Sequence, residues 1–200
     1  MSSVIVGFDE AGRGPLAGPV CAAAVILPQN FPVELLNDSK KLSEKKRLAA
    51  EAAVKQKALW GLAFVDEKTI DKMNILRASL YAMKLAFDDL LKKKDEWIKN
   101  NGLAAADYGL DKIQGIADGT FVPPELPIEC EAVVKADAKF HQVMAASVLA
   151  KTARDRFMVE MDKKYPGYGY AKHKGYPTAA HKAACRELGP SPIQRMSFTY

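Results

Sequence analysis

Four carboxylates stand at the ends of apolar runs, where a charge is costly unless it is paired or bound to a cation. Asp9 and Glu10 end the run "SVIVGFDE", Asp118 ends "IQGIAD", and Asp137 ends "IECEAVVKAD". Ligand sites in open α/β sheets gather at the carboxyl ends of strands, so acids far apart in sequence can converge there. An all-carboxylate set without histidine or thiolate is a hard-oxygen site, which favours Mg²⁺ or Mn²⁺ over zinc. Two such ions about 3.5–4 Å apart can clamp the attacking and leaving oxygens of a phosphodiester displacement. Read singly, Asp118 opens an Asp-Gly turn and Asp137 caps a helix. With the adjacent Asp9-Glu10 pair and the turn that follows it, the metal reading prevails, and Asp9 is the candidate to bridge two ions.

That turn is "GRGPLAG", residues 12–18. No Gly-Lys-Ser/Thr follows and no helix pattern begins, so it is not a nucleotide phosphate loop. Gly12 and Gly14 let a ligand approach backbone N–H and C=O groups with no Cβ between. Arg13 adds a forked donor suited to phosphate. Further along, Tyr176 sits among Lys172, His173 and Lys174, an aromatic in a basic setting suited to stacking beside a nucleic-acid backbone. Asp155, in "ARDR", is a candidate fifth acid near the metals but reads rather as half of an Arg-Asp helix pair, and His141 and His173 read as surface or phosphate-facing residues rather than proton shuttles.

The elements that must position these groups follow from periodicity. Residues 3–9, 19–27, 59–66, 113–119 and 128–137 read as strands. Helices are expected from a Ser43 cap through about 57, over 67–94 with a break at Asn74, over 139–164, and from about 178 to 187. Leu76, Leu80, Met83 and Phe87 form one apolar stripe on the second of these. Residues 95–112 read as an irregular excursion and 165–178 as a loop. Strands dominate the first two-thirds and helices the last third, which predicts an α/β fold: a mixed sheet flanked by helices, with a helical C-terminal portion.

Two hundred residues suit one domain, expected over 1–200, with about 139–200 a basic substrate-binding portion packed on it. That portion holds eleven Lys/Arg against four Asp/Glu, whereas residues 1–138 hold eighteen against twenty. Such asymmetry suits a polyanion lying along the basic part. No run of about 18 apolar residues exists to span a membrane. "MSSVIVGFDE" has neither the basic start nor the apolar length of a secretory signal, and the three cysteines form no CxxC pair. A monomer in the cytoplasm is expected.

The stretches "GFDEAGRGPLAGPV", "NDSKKLS", "NILRASLYAM", "KAD", "AASVLAKTARD" and "YPGYGYAKHKGYPTAAH" together resemble bacterial ribonuclease HII, in order and over nearly the whole chain. The resemblance implies a ribonuclease H-like core and two divalent ions. It implies cleavage of the RNA strand of RNA/DNA hybrids, and of duplex DNA on the 5′ side of a single embedded ribonucleotide, leaving 3′-hydroxyl and 5′-phosphate ends. Asp9, Glu10, Asp118 and Asp137 match the metal-binding acids. Gly12, Arg13 and Gly14 match the turn that recognises the 2′-hydroxyl, and Tyr176 the tyrosine that stacks on the next deoxyribose. Ser39 and Lys40 resemble residues near the substrate phosphate. Phe140, His141 and Met144 depart from the small or aliphatic residues expected there, and "PIQRMSFTY" matches the usual ending only in part. The rivals are a ribonuclease HIII-like hybrid nuclease and a non-catalytic nucleic-acid-binding module.

Overall fold

The computed structural model describes residues 4–37 and 42–199. Its centre is a five-stranded sheet in the order β3-β2-β1-β4-β5. The strands are β1 (Val4–Ala11), β2 (Val20–Ile26), β3 (Leu59–Val65), β4 (Ile113–Asp118) and β5 (Glu129–Val133). β2 lies antiparallel to both β1 and β3, whereas β4 runs parallel to β1 and β5 parallel to β4. The expected mixed sheet is therefore present.

β2 shows how the sequence divides the core. Val20, Ala22, Ala24 and Ile26 face one apolar cluster, and Cys21, Ala23 and Val25 face the other. The period of two gives one strand two buried faces. α3 (Ile75–Asn100) covers the first face, with Met83, Phe87 and Leu90 inserted. α1 (Glu44–Lys57) and α4 (His141–Lys164) cover the second, through Ala50 and Val54 and through Ala145, Val148 and Leu149. The central strand admits α4 closely because residue 7 is glycine. A Cβ there would stand 2.3 Å from the Gln142 carbonyl carbon, which no side chain tolerates.

The Ser43 cap read from sequence forms, and the break read at Asn74 is itself a helix cap. Ser43 Oγ accepts the Lys46 N–H at 3.4 Å, and Asn74 Oδ1 accepts the Arg77 N–H at 3.1 Å. Asn74, at φ 68°, separates α2 (Glu67–Met73) from α3. Two expectations need correction. α3 continues through 95–100: Trp97 packs against the first core cluster and Ile98 is buried, while Asp95, Glu96, Lys99 and Asn100 are exposed. Residues 105–112 then form two short 3-10 turns, with Tyr108 set edge-on against Trp97 at 5.5 Å. The strand expected to end on Asp137 stops at Val133. The chain turns through Lys135 in the left-handed region, and Asp137 lies in a 3-10 turn, Ala136–Ala138. Phe140 packs with Ile116, Ala136 and Val143 beneath that turn, so this departure from the expected residue types is accommodated.

The C-terminal portion comprises α4, the one-turn α5 (Tyr170–His173) inside the expected loop, and α6 (Ala179–Leu188), followed by a tail of turns that bridges Gln194 to Ala17. Among the described residues, no helix is long and apolar enough to cross a membrane.

Candidate active site

Asp9 and Glu10 fall in the last residues of β1, and Asp118 is the final residue of β4. Phe8 pairs with Ala117 across the parallel ladder, so the next residues, Asp9 and Asp118, are neighbours on strands about 4.8 Å apart. Asp9 is only 6% exposed. Its Oδ1 accepts the Glu10 N–H at 2.7 Å, and its carboxyl is hydrogen-bonded to Ser147 on α4. Burial, then the charges of Glu10 and Asp118, push the Asp9 carboxyl well above the usual carboxylate range, against those two hydrogen bonds. Burial likewise raises Glu10, with Asp118 adding to it and Arg13 opposing it. Arg13 Nη1 reaches Glu10 Oε1 at 3.4 Å from a half-exposed position. Asp118 Oδ1 accepts the Ala136 N–H at 2.7 Å, which ties β4 to the turn bearing Asp137.

Three carboxylates thus share one electrostatic neighbourhood, with the fourth one residue from a hydrogen bond to it. Arg13 opposes the raised Glu10 carboxyl, and Asp9, Glu10 and Asp118 repel one another at the strand ends. Hard oxygen donors with surplus charge fit a divalent cation. Among the described residues, however, no three His, Cys, Asp or Glu side chains form a ready-made coordination group. Asp9, Glu10 and Asp118 each give an oxygen to a donor within the protein.

The turn after β1 lies beside these acids. Gly12 has φ +105°, and a Cβ there would fall 2.1 Å from Arg154 Nε. Gly14 faces Tyr176, whose Cε1 would be 3.5 Å from a Cβ at residue 14. Leu16 donates its N–H to Gly175 O at 2.8 Å, fastening the Tyr176 loop to the turn. Tyr176 is 42% exposed. Its carbonyl meets His181 Nδ1 at 3.0 Å, and His181 stacks on His173 at 4.5 Å between centroids. His173 Nδ1 in turn accepts the Gly175 N–H at 3.2 Å. The two histidines therefore hold the loop that carries the tyrosine. Asp155 pairs along the helix with Lys151 at 2.8 Å, a lysine one turn back in place of the expected arginine partner.

The fold thus gathers Asp9, Glu10, Asp118, Gly12, Arg13, Gly14 and Tyr176 at one end of β1, with Asp137 on the adjoining turn. Ser39 and Lys40 lie outside the described residues. Sequence reasoning missed Ser147 and the buried Arg154 and Arg195. All three nevertheless lie in stretches compared with the family, Ser147 and Arg154 in "AASVLAKTARD" and Arg195 in "PIQRMSFTY".

The ribonuclease HII family model matches residues 6–200. The chain belongs to the ribonuclease HII family. It is 46% identical over 198 residues to ribonuclease HII of Treponema denticola, covering 98% of each chain. It is 48% identical over 200 residues to that of Laribacter hongkongensis, covering 99% of this chain and 92% of the other. Membership makes it a metal-dependent endoribonuclease of the ribonuclease H type, acting on the RNA strand of RNA/DNA hybrids. Among solved structures it resembles the ribonuclease HII of a PCNA:RNase HII complex from Archaeoglobus fulgidus, with TM-score 0.69, 22% identity, and coverage of 98% and 96%. It also resembles Bst-RNase HIII in complex with Mn²⁺, with TM-score 0.67, 17% identity, and coverage of 99% and 68%. At those identities the likeness is one of fold.

Proposed function

We propose that this chain cuts duplex DNA on the 5′ side of a single embedded ribonucleotide, as well as the RNA strand of hybrids, leaving 3′-hydroxyl and 5′-phosphate ends. The observation that carries the reading is the adjacency of the Asp9–Asp118 pair to a glycine turn that Tyr176 abuts. Asp9, Glu10, Asp118 and Asp137 would hold two divalent cations, Mg²⁺ or Mn²⁺. When bound, these supply the Lewis acidity that an in-line phosphodiester displacement needs at both its attacking and leaving oxygens.

The protein's own groups do the rest. Ser147 orients Asp9 through its hydrogen bond. Gly12, Arg13 and Gly14 present backbone donors and acceptors to the 2′-hydroxyl, the group that distinguishes RNA from DNA. Tyr176 stacks on the deoxyribose that follows the ribonucleotide, and Ser39 and Lys40 lie near the phosphate. Residues 139–200 track the duplex backbone as a basic part of the same domain. The enzyme acts as a monomer in the cytoplasm, a reducing compartment in which its three free cysteines would stay reduced.

The test is incubation of a duplex bearing one ribonucleotide with Mg²⁺, with the cut mapped to the nucleotide. A single break 5′ to the ribonucleotide is expected. Indifference to the 2′-hydroxyl, or cleavage only in long hybrids, would overturn the reading.

A further inference from the structure

The stretch 12–19 turns its carbonyls inward, onto two arginines from the far end of the chain. Arg195, with no exposed surface, donates from Nη2 to Gly12 O at 2.6 Å and from Nε to Gly18 O at 2.8 Å. Its Nη1 serves Arg13 O at 3.1 Å and Pro15 O at 2.8 Å, and its backbone N–H serves Leu16 O at 2.9 Å. Arg154, 1% exposed on α4, donates to Pro19 O at 2.9 Å, Ala17 O at 3.1 Å and Lys174 O at 3.0 Å. Among the described residues, Gly14 alone of residues 12–19 has a carbonyl that accepts none of these bonds.

Peptide planarity converts this into an outward pattern. In a trans peptide the N–H points opposite to the C=O of the preceding residue. With Gly12 O and Arg13 O drawn onto Arg195, the N–H groups of Arg13 and Gly14 face away from the core. Neither donates to the backbone of a described residue. The next peptide joins Gly14 to Pro15, which has no N–H, so it offers only the Gly14 carbonyl. Arg13 and Gly14 are exposed, while Gly12 and residues 15–19 are buried. The exposed face therefore presents two donors and one acceptor, the complement of a hydroxyl, which both donates and accepts.

Keeping Arg195 there is costly. Burial, then the neighbouring Arg154 charge, pulls its proton affinity down to about 9, with Asp71 as the first opposing charge. A buried guanidinium satisfied by carbonyls has no stability advantage over a well-packed apolar side chain unless those carbonyls must be held inward.

We propose that Arg195 is a positioning residue for ribonucleotide recognition: gripping the Gly12, Arg13 and Pro15 carbonyls from behind, it sets the peptide planes that meet the sugar hydroxyl. The proposal rests on the reading that this turn senses the 2′-hydroxyl. Arg154, bonded to both the turn and Lys174, keeps the Tyr176 loop in register with it.

The test is Arg195→Lys, whose single ammonium cannot span four carbonyls. Dissociation constants are measured for a duplex with one ribonucleotide and for the all-DNA duplex, with Ca²⁺ replacing Mg²⁺, well below the variant's melting temperature. All-DNA binding should stay within about twofold while the ribonucleotide preference falls about tenfold, roughly one hydrogen bond's worth of discrimination. A preference unchanged despite a lowered Tm makes Arg195 merely structural and overturns the proposal. A wild type without any ribonucleotide preference sinks the underlying reading instead. If Arg195→Lys does not fold, amide hydrogen exchange on the wild type decides. The Arg13 and Gly14 amides should exchange fast in the free protein and be protected by the ribonucleotide duplex but not by all-DNA. Slow exchange in the free protein would place those N–H groups inward, against the proposal.

Discussion

The two glycines of Gly-Arg-Gly should respond to alanine in opposite ways. At residue 12 an added Cβ falls 2.1 Å from Arg154 Nε and 2.5 Å from its Cδ, at φ +105°. That backbone conformation costs an L residue about 1–3 kcal/mol. Arg154 must also move, weakening buried hydrogen bonds to Pro19 O, Ala17 O and Lys174 O. Losing even one charged hydrogen bond of this kind costs about 1.5–3 kcal/mol. Together Gly12→Ala should destabilise the fold by about 3–6 kcal/mol, and Tm should fall by about 2–4 °C for each kcal/mol. At residue 14 the added Cβ meets Tyr176 Cε1 at 3.5 Å, an ordinary contact, and φ is not positive. Gly14→Ala should therefore fold within about 1 kcal/mol of wild type. It should nevertheless lose ribonucleotide-directed cleavage, because the methyl occupies the face offered to the sugar. Urea unfolding, paired with cleavage of a single-ribonucleotide duplex, reads both effects. A Gly12→Ala variant as stable as wild type would refute the Arg154 contact, and a fully active Gly14→Ala would refute the sugar-facing role of the turn.

Asp9→Asn should abolish turnover with Mg²⁺ while sparing duplex binding; retained activity would contradict the assignment. Because burial and Glu10 raise the Asp9 carboxyl above its unfolded value, its contribution to stability is fullest at low pH and is lost as pH rises through the folded value. In chelator, Asp9→Asn should therefore gain stability relative to wild type as pH rises above the ordinary carboxylate range, and melts in which wild type gains instead would oppose this. Ser147→Ala should lower kcat about 10–100-fold by freeing the Asp9 carboxyl, measured in single-turnover cleavage; unchanged kcat would make the hydroxyl incidental. Tyr176→Phe should cleave nearly as wild type and Tyr176→Ala about tenfold or more worse, since stacking needs only the ring. A large loss in Tyr176→Phe would transfer the role to the hydroxyl.

Much of this was legible in the residues. The strand read over 19–27 and the breaks at Ser43 and Asn74 depend on local residue type and spacing; the strand forms one residue shorter at each end, and both breaks fall where read. The nearness of Asp9 to Asp118 was an inference from strand ends, made concrete by the parallel register of β1 and β4. Asp137 was misplaced onto a strand because "VVKAD" continues an apolar run, and nothing local announces a left-handed Lys135. The apolar stripe on α3 turned partly: Met83 and Phe87 are buried, but Ala78, Ala82 and Ala86 share their face, and Leu76 and Leu80 are only half-buried. Alanines hide such a face from a reading that weights large residues. Apart from the bond of Arg154 to Lys174, 20 positions on, the contacts that give Arg154 and Arg195 their roles span 135 to 183 positions in sequence, and no spacing rule reaches that far.

The central claim is that four carboxylates hold the reacting cations. Anomalous diffraction from crystals grown in Mn²⁺ with a ribonucleotide-bearing duplex, its scissile phosphate blocked, tests this most directly. The account predicts two manganese peaks about 3.5–4 Å apart, enclosed by Asp9, Glu10, Asp118 and Asp137. Manganese found only away from Asp9, or absent beside a bound duplex, would contradict it.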